Sequence, residues 1–415
     1  MKKEVNFPVG FYWGAATASY QVEGDIYNTD WAKAAEEGKV PVASKAADHY
    51  HLYEKDFDIA KDLGHNAHRF SVEWARIEPT EGVFEETQLD HYRQVLHALR
   101  ARNLEPLVTL WHFTLPLWFS ESGGFERKDA PEIFARYCTR VVEAFGDLAV
   151  HYSTINEPIV YANNGWLRGQ WPPFKRWKLF SFVKVTNTDS HKETSVNRQE
   201  KGSLRTFLYV TNQLVKAHVV AYKAIKSVNK NTDISIVRDV IVFAANKNLF
   251  NKFLALVMNW FWTHRFNNKL DGQIDSYGLN YYFYKKFGDK VVYKKTDMQW
   301  DSVPEGIYDA IKILERYQKP IYVAEAGIAD QTDKSRADYI TNQIKAVAKA
   351  LNEGIDVRGH IYWSLLDNYE WALGFEKRFG LVAVDYNTML RKVRSSAYVY
   401  KKIIQNNKIT IDIKG

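Results

Sequence analysis

Eight short runs rich in Val, Ile, Leu and aromatic residues recur along the chain, most of them separated by longer stretches of helical periodicity. The runs are 11–18 (FYWGAATA), 66–73 (NAHRFSVE), 106–111 (PLVTLW), 152–157 (YSTINE), 234–240 (ISIVRDV), 275–282 (DSYGLNYY), 321–327 (IYVAEAG) and 359–367 (GHIYWSLLD). Most are apolar at successive positions and end in turn residues, the pattern of strands buried on both faces. Between them, Leu89, Tyr92, Leu96 and Leu99 share one helical face, and Pro131 stands where a helix would begin. The stretch 204–228 is long and periodic, and 336–354 ends on Gly354, a helix C-cap residue. Strand and helix in alternation call for parallel strands joined by crossovers. Eight of them predict a closed (β/α)8 barrel rather than an open doubly wound sheet, and no glycine-rich phosphate fingerprint follows the first run. No repeat or linker divides residues 1–415, so one domain is expected, with an irregular surface excursion at about 174–203.

A barrel of this kind gathers its chemistry at the C-terminal ends of its strands. There the sequence places Arg69, His112, Asn156 and Glu157, then Asn280 and Tyr282, Glu325, and Trp363 followed by Glu370 and Trp371. A single acid at a strand end is usually solvated structure. Glu157 and Glu325, on the fourth and seventh runs, would instead face each other across the barrel. Two opposed carboxyls suit glycoside cleavage, one protonating the leaving oxygen and the other attacking or activating water.

Composition narrows the alternatives. Aromatic residues make up 15% of the chain, with 13 Trp. They serve equally a large core and a site whose flat rings stack on sugars. The net charge of +7 comes partly from clusters at 175–178 (Lys175, Arg176, Lys178) and 285–295, which match no nucleic-acid motif and read as solvated surface. The lone Cys138 rules out a disulfide within the chain and argues against a cysteine metal site; a cytoplasmic location is expected. Glu4, Asn6 and Pro8 interrupt any leader-like run. The run 253–262 (FLALVMNWFW) is too short to span a bilayer and reads as a buried or interfacial helix. No metal or cofactor is called for.

The stretches FYWGAATASYQVEG, TINEP, GLNYY, the Glu325 segment and WSLLDNYEWALGFEKRFGLVAVDY resemble the signatures of glycoside hydrolase family 1, the β-glucosidase/β-galactosidase family, in order and over residues about 10 to 400. The resemblance implies a retaining double displacement on a small-molecule β-glycoside or oligosaccharide. Glu157 would be the general acid/base and Glu325 the nucleophile. Arg69 and Tyr282 match the nucleophile's partners, Asn156 matches the group that binds the sugar 2-hydroxyl, and Asn280 supports the acids. Gln21, His112, Glu370 and Trp371 match the residues that grip the outer hydroxyls, Trp363 the stacking floor and Phe379 a pocket edge. The acid at Glu370 favours unphosphorylated glucosides, with galactosides or fucosides as further candidates.

Three departures stand out. Ala324 and Ala326 flank the nucleophile where the family carries Thr and Asn, Phe113 replaces a common Trp, and the segment between the fifth and sixth runs is short. They leave open a transglycosylase using the same residues, or a weakened sugar-binding barrel.

Overall fold

The structure, a computed structural model, describes residues 1–177, 201–270, 272–289 and 291–412. Eight parallel strands close into a barrel: β1 (Tyr12–Ala16), β2 (Ala67–Ser71), β3 (Glu105–Trp111), β4 (His151–Asn156), β5 (Asp233–Asp239), β6 (Ser276–Tyr281), β7 (Ile321–Ala326) and β8 (Val357–Trp363). Each pairs with its sequence neighbours, and β8 closes onto β1 through Gly359–Tyr12 to Trp363–Ala16. Every residue of β2, β6 and β7 is buried, Arg69, Asn280 and Glu325 included, which accounts for the lack of an exposed polar face in these runs.

The expected helices form at Glu86–Ala101, Ala130–Phe145, Leu204–Val228 and Arg336–Asn352. Pro131 sits in the first turn of its helix. Gly354 lies at φ +86° and closes the last helix: its N–H donates to Leu351 O at 2.9 Å, and Ile355 N–H to Ala350 O at 3.2 Å.

Seven of the eight strands end one or more residues before their apolar runs, and two of these endings have a plain cause. The fourth stops at Asn156 because Glu157 turns to φ 44° and Pro158, which has no N–H to give a ladder, opens the helix Pro158–Trp166. The eighth stops at Trp363, after which Asp367 leaves the barrel to take Arg378 and Arg394. Three short strand pairs lie outside the expected pattern. Lys2–Asn6 runs antiparallel to Lys408–Asp412, Val382–Asp385 to Leu390–Val393, and Val242–Ala245 parallel to Tyr284–Phe287. Each strand has only four or five residues, too few for a periodicity to register.

Of the 174–203 excursion, 178–200 lies outside the described residues; its ends are tied by bridges from Arg176 to Arg168 and Lys201. Three members of the basic clusters are ion-paired, Lys175 with Glu126, Lys286 with Asp289 and Lys295 with Asp301. The 253–262 run is not a buried helix. It falls in the helix Leu249–Asn259 and the turn after it, and Ala255 is the one buried residue of that helix. Among the described residues no helix is long and apolar enough to cross a membrane.

Distant parts of the chain meet at a buried charge cluster. Asp56 accepts from Arg391 Nε at 2.8 Å and Nη2 at 3.0 Å, and lies 2.8 Å from His49 Nδ1. Arg391 also donates to the Ala47 carbonyl, so the helix His49–Asp62 is bound to the C-terminal hairpin. Burial alone would raise the Asp56 pKa, but His49 and Arg391 hold it below the ordinary value. A carboxyl with a lowered folded pKa stabilises above its unfolded pKa and loses that advantage as pH falls through the folded one. Asp56→Ala would strand a fully buried guanidinium, and a loss of about 3–5 kcal/mol is expected in urea unfolding at neutral pH. The gap between wild type and variant should shrink below pH 4.

Candidate active site

One continuous hydrogen-bonded chain crosses the C-terminal mouth of the barrel. It starts at Glu325 near the end of β7, 4% exposed. One carboxylate oxygen accepts from the Arg69 guanidinium and the other from the Tyr282 hydroxyl at 2.9 Å. Arg69, on β2, also donates through Nη2 to Asn156 Oδ1 at 2.8 Å and through Nε to Thr109 Oγ1 at 3.1 Å. Asn280, at the end of β6, donates through Nδ2 to Glu157 Oε1 at 2.8 Å and sits 3.3 Å from Asn156 Oδ1. The two acids are thus linked through Arg69, Asn156 and Asn280, which come from three different strands.

A guanidinium can only donate, so the Asn156 atom facing Arg69 must be the oxygen. Its amide nitrogen then faces His112 Nε2 at 3.2 Å, which makes that ring nitrogen an acceptor. Burial, with the charge of Arg69, holds the His112 pKa well below its ordinary value, so the ring is neutral and its proton lies on Nδ1. That Nδ1 has no partner. The same logic fixes Gln21. Its amide nitrogen donates to the Tyr369 carbonyl at 2.8 Å and to Asn368 Oδ1 at 3.0 Å, which leaves Oε1 buried and unpartnered. Glu370 Oε2 and Asn280 Oδ1 are likewise buried without a partner. Native interiors satisfy nearly all buried polar groups. Unpartnered donors and acceptors side by side at one mouth suit a ligand bearing several hydroxyls, each able both to give and to take a hydrogen bond.

Aromatic rings frame this polar set. His112 stacks with Trp363 at 5.9 Å between centroids and with Trp371 at 6.0 Å. Trp371 also packs on Trp31 at 4.8 Å and on Phe113, which meets Trp171 at 4.8 Å. Across the mouth, Phe379 and Trp300 lie against Tyr282. A tight backbone contact permits the closure. A Cβ on Gly327 would stand 1.8 Å from the Trp363 carbonyl oxygen, so only glycine lets the ends of β7 and β8 approach this closely. Ala324 and Ala326 are buried and bring no polar group, leaving Glu325 to Arg69 and Tyr282.

The two acids sit in different fields. Burial raises the Glu157 pKa well above its ordinary value, and the charges of Asp239 and Glu325 add to it; Asn280 and Arg69 oppose. Burial, followed by Glu325, pushes Glu370 up to about 8. Every candidate from the sequence lies at this mouth. One residue was missed there. Asp239 ends β5 opposite Asn280 in register and is 4% exposed, with the Trp262 ring N–H donating to its backbone carbonyl at 3.2 Å. Burial raises it to about 7, with Arg238 and Trp262 opposing and Glu325 adding. The strand-end rule that found the other acids, applied to ISIVRDV, points to it as well. Among the described residues no group of three or more His, Cys, Asp or Glu is arranged to hold a metal ion.

The model of glycosyl hydrolase family 1 matches residues 3–266 and 246–409. A 1,4-beta-D-glucan glucohydrolase of Thermotoga neapolitana is 32% identical, over 99% of this chain and 100% of its own length. A beta-galactosidase of Saccharolobus solfataricus is 30% identical, over 99% and 97%. Among solved structures, a beta-glycosidase from Pyrococcus horikoshii superposes with a TM-score of 0.84 at 34% identity, covering 98% of this chain and 96% of that one. A beta-glucosidase from Thermotoga maritima in complex with glucoimidazole does so with a TM-score of 0.85 at 30% identity, covering 97% and 99%.

Replacing Asp239 by Asn removes a negative neighbour of Glu157 and should lower the pH at which Glu157 gives up its proton. Carboxyl titration by 13C NMR or difference infrared reads this directly. An unmoved Glu157 titration would mean that Asp239 does not act on it.

Proposed function

The chain belongs to glycosyl hydrolase family 1, and from that premise we propose a retaining β-glycosidase that hydrolyses unphosphorylated β-glucosides, with β-galactosides or β-fucosides as further substrates. The observation that carries the reading is the contrast between two buried acids on one hydrogen-bonded chain. Glu325 is held by a guanidinium and a phenol, whereas Glu157 is kept protonated by burial and negative neighbours.

The mechanism follows from that contrast. The Glu325 carboxylate attacks the anomeric carbon as Glu157 gives its proton to the departing glycosidic oxygen. The ester so formed carries no charge on Glu325. The repulsion that kept Glu157 protonated then falls, and Glu157 takes a proton from the incoming water. That water attacks the same carbon, and Glu325 leaves as the carboxylate. Asn156, oriented by Arg69, meets the 2-hydroxyl. His112 Nδ1–H, Gln21 Oε1 and Glu370 are left to bind the outer hydroxyls over the Trp363 ring, with Trp371 and Phe379 at the sides. A phosphate on the sugar would have to sit beside the buried Glu370 carboxyl and within the negative field of Glu325, which is why an unphosphorylated ring is preferred.

With an aryl β-glucoside, wild type should release the phenol and Glu325→Ala should fall to background. Release retained by that variant would remove Glu325 from the role of nucleophile, and no release by wild type would support a sugar-binding barrel instead. The pH profile of kcat/KM should fall on the basic side as Glu157 loses its proton. Glu157→Gln should cost roughly 10²–10⁴ on a substrate with a poor leaving group and flatten the basic limb. A basic limb that survives unchanged contradicts the assignment.

A further inference from the structure

The helix Leu249–Asn259 is amphipathic with its faces reversed. Asn251, Ala255 and Asn259, four residues apart, face the protein. Asn251 Nδ2 donates to Asn246 Oδ1 at 3.0 Å, Ala255 is buried, and Asn259 exchanges bonds with the Phe243 backbone, accepting at 3.2 Å and donating at 2.8 Å. The side turned to solvent carries Leu249, Phe250, Phe253, Leu256 and Val257, with Trp260 one turn on. Their exposures run from 41% for Val257 to 81% for Leu249. These positions are spaced as one helical stripe, the pattern that normally faces a core. Contiguous apolar patches are rare on soluble surfaces and mark sites of interaction.

The charges on the helix and its flanking sequence are of one sign, and an acid close by, Asp289, is paired with Lys286. Residues 240–270 contain no Asp or Glu. Lys247 and Lys252 are exposed on either side of the first apolar turn, and Lys285 is exposed on the ribbon beneath. The ribbon fixes where the helix lies. Its strands, Val242–Ala245 and Tyr284–Phe287, continue from the C-terminal ends of β5 and β6, the strands that carry Asp239 and Asn280. The stripe therefore borders the end of the barrel at which the acids sit.

We infer that this helix, with Trp260, is a docking face for an anionic lipid surface, on which it lies flat and toward which it turns the barrel mouth. An apolar stripe flanked by lysines, with a Trp at its edge, is the composition of a helix that rests in the headgroup region rather than spanning the bilayer. The like charges also weigh against a second copy, because a two-fold contact through this stripe would bring Lys247 and Lys252 of each chain toward those of the other. β-Glycosides whose aglycone is embedded in the lipid would then meet the site without leaving the surface.

Flotation of the full chain with vesicles tests the inference apart from catalysis. The protein should float with phosphatidylcholine vesicles containing phosphatidylglycerol and remain behind with phosphatidylcholine alone. The variant F253S/L256S/W260S should lose flotation while keeping its circular dichroism and its rate on a soluble aryl β-glucoside. Removing the charges in K247Q/K252Q should weaken partition by about thirtyfold, since each basic group near an anionic surface contributes about 1 kcal/mol. Failure to float with anionic vesicles, or equal flotation of the triple variant, overturns the inference. So does a wild-type dimer in gel filtration that the triple variant turns into a monomer without any vesicle binding, because the stripe would then be covered by a second copy.

Discussion

A guanidinium buried inside a barrel has to be answered by acceptors on every side, and Arg69 sets the terms for the whole mouth. It is 2% exposed, and its donors reach Glu325, Asn156, Thr109 and, at 3.4 Å, the Ala324 carbonyl. Taking such a charge out of water costs several kcal/mol unless its geometry and partners are complete. The partners come from β3, β4 and β7, so the register of three strands must be correct before the charge can be stabilised. What orients the amide of Asn156 also fixes the tautomer of His112 beside it. A single cation thereby orders a polar cluster that would otherwise hold several arrangements of similar energy.

The same network gives two carboxyls of one residue type different properties. Glu325 receives a cation and a phenol. Glu157 receives one neutral amide and looks toward Asp239 and Glu325. The difference does not depend on the residues flanking the nucleophile, which explains how Ala324 and Ala326 are compatible with an intact arrangement. Phe113 is accommodated similarly, within a ring cluster that includes Trp171 and Trp371.

The barrel was legible because its strands are buried on both faces and write continuous apolar runs, while its helices carry their own stops at Pro131 and Gly354. The site was legible because strand ends are the places where polar residues interrupt those runs. Asp239 escaped notice since Arg238 and Asp239 together look like a strand turning polar, not like a member of the set. The short strand pairs escaped because each strand has too few residues to show a clear alternation, and two of the three pairs join segments distant in sequence. The helix Leu249–Asn259 shows a different limit. Periodicity in the sequence reveals that a helix has two unlike faces but not which of them looks inward, and here Asn251 and Asn259, bonded to backbone and side-chain oxygens, hold the polar face against the protein.

The pairing of Lys2–Asn6 with Lys408–Asp412 carries a geometric consequence. Phe7 N–H donates to the Asn407 carbonyl at 3.0 Å, and Trp13, at the start of β1, bonds the Asn407 side chain. Both ends of the described chain are therefore clasped together at the base of the barrel, where strands enter, on the pole opposite the acids. A fusion partner, affinity tag or surface tether joined at either end would hang from that pole and leave the opening unobstructed. A circular permutant bridging the two ends would need only a brief linker and new termini on a peripheral loop, with no strand of the cylinder cut.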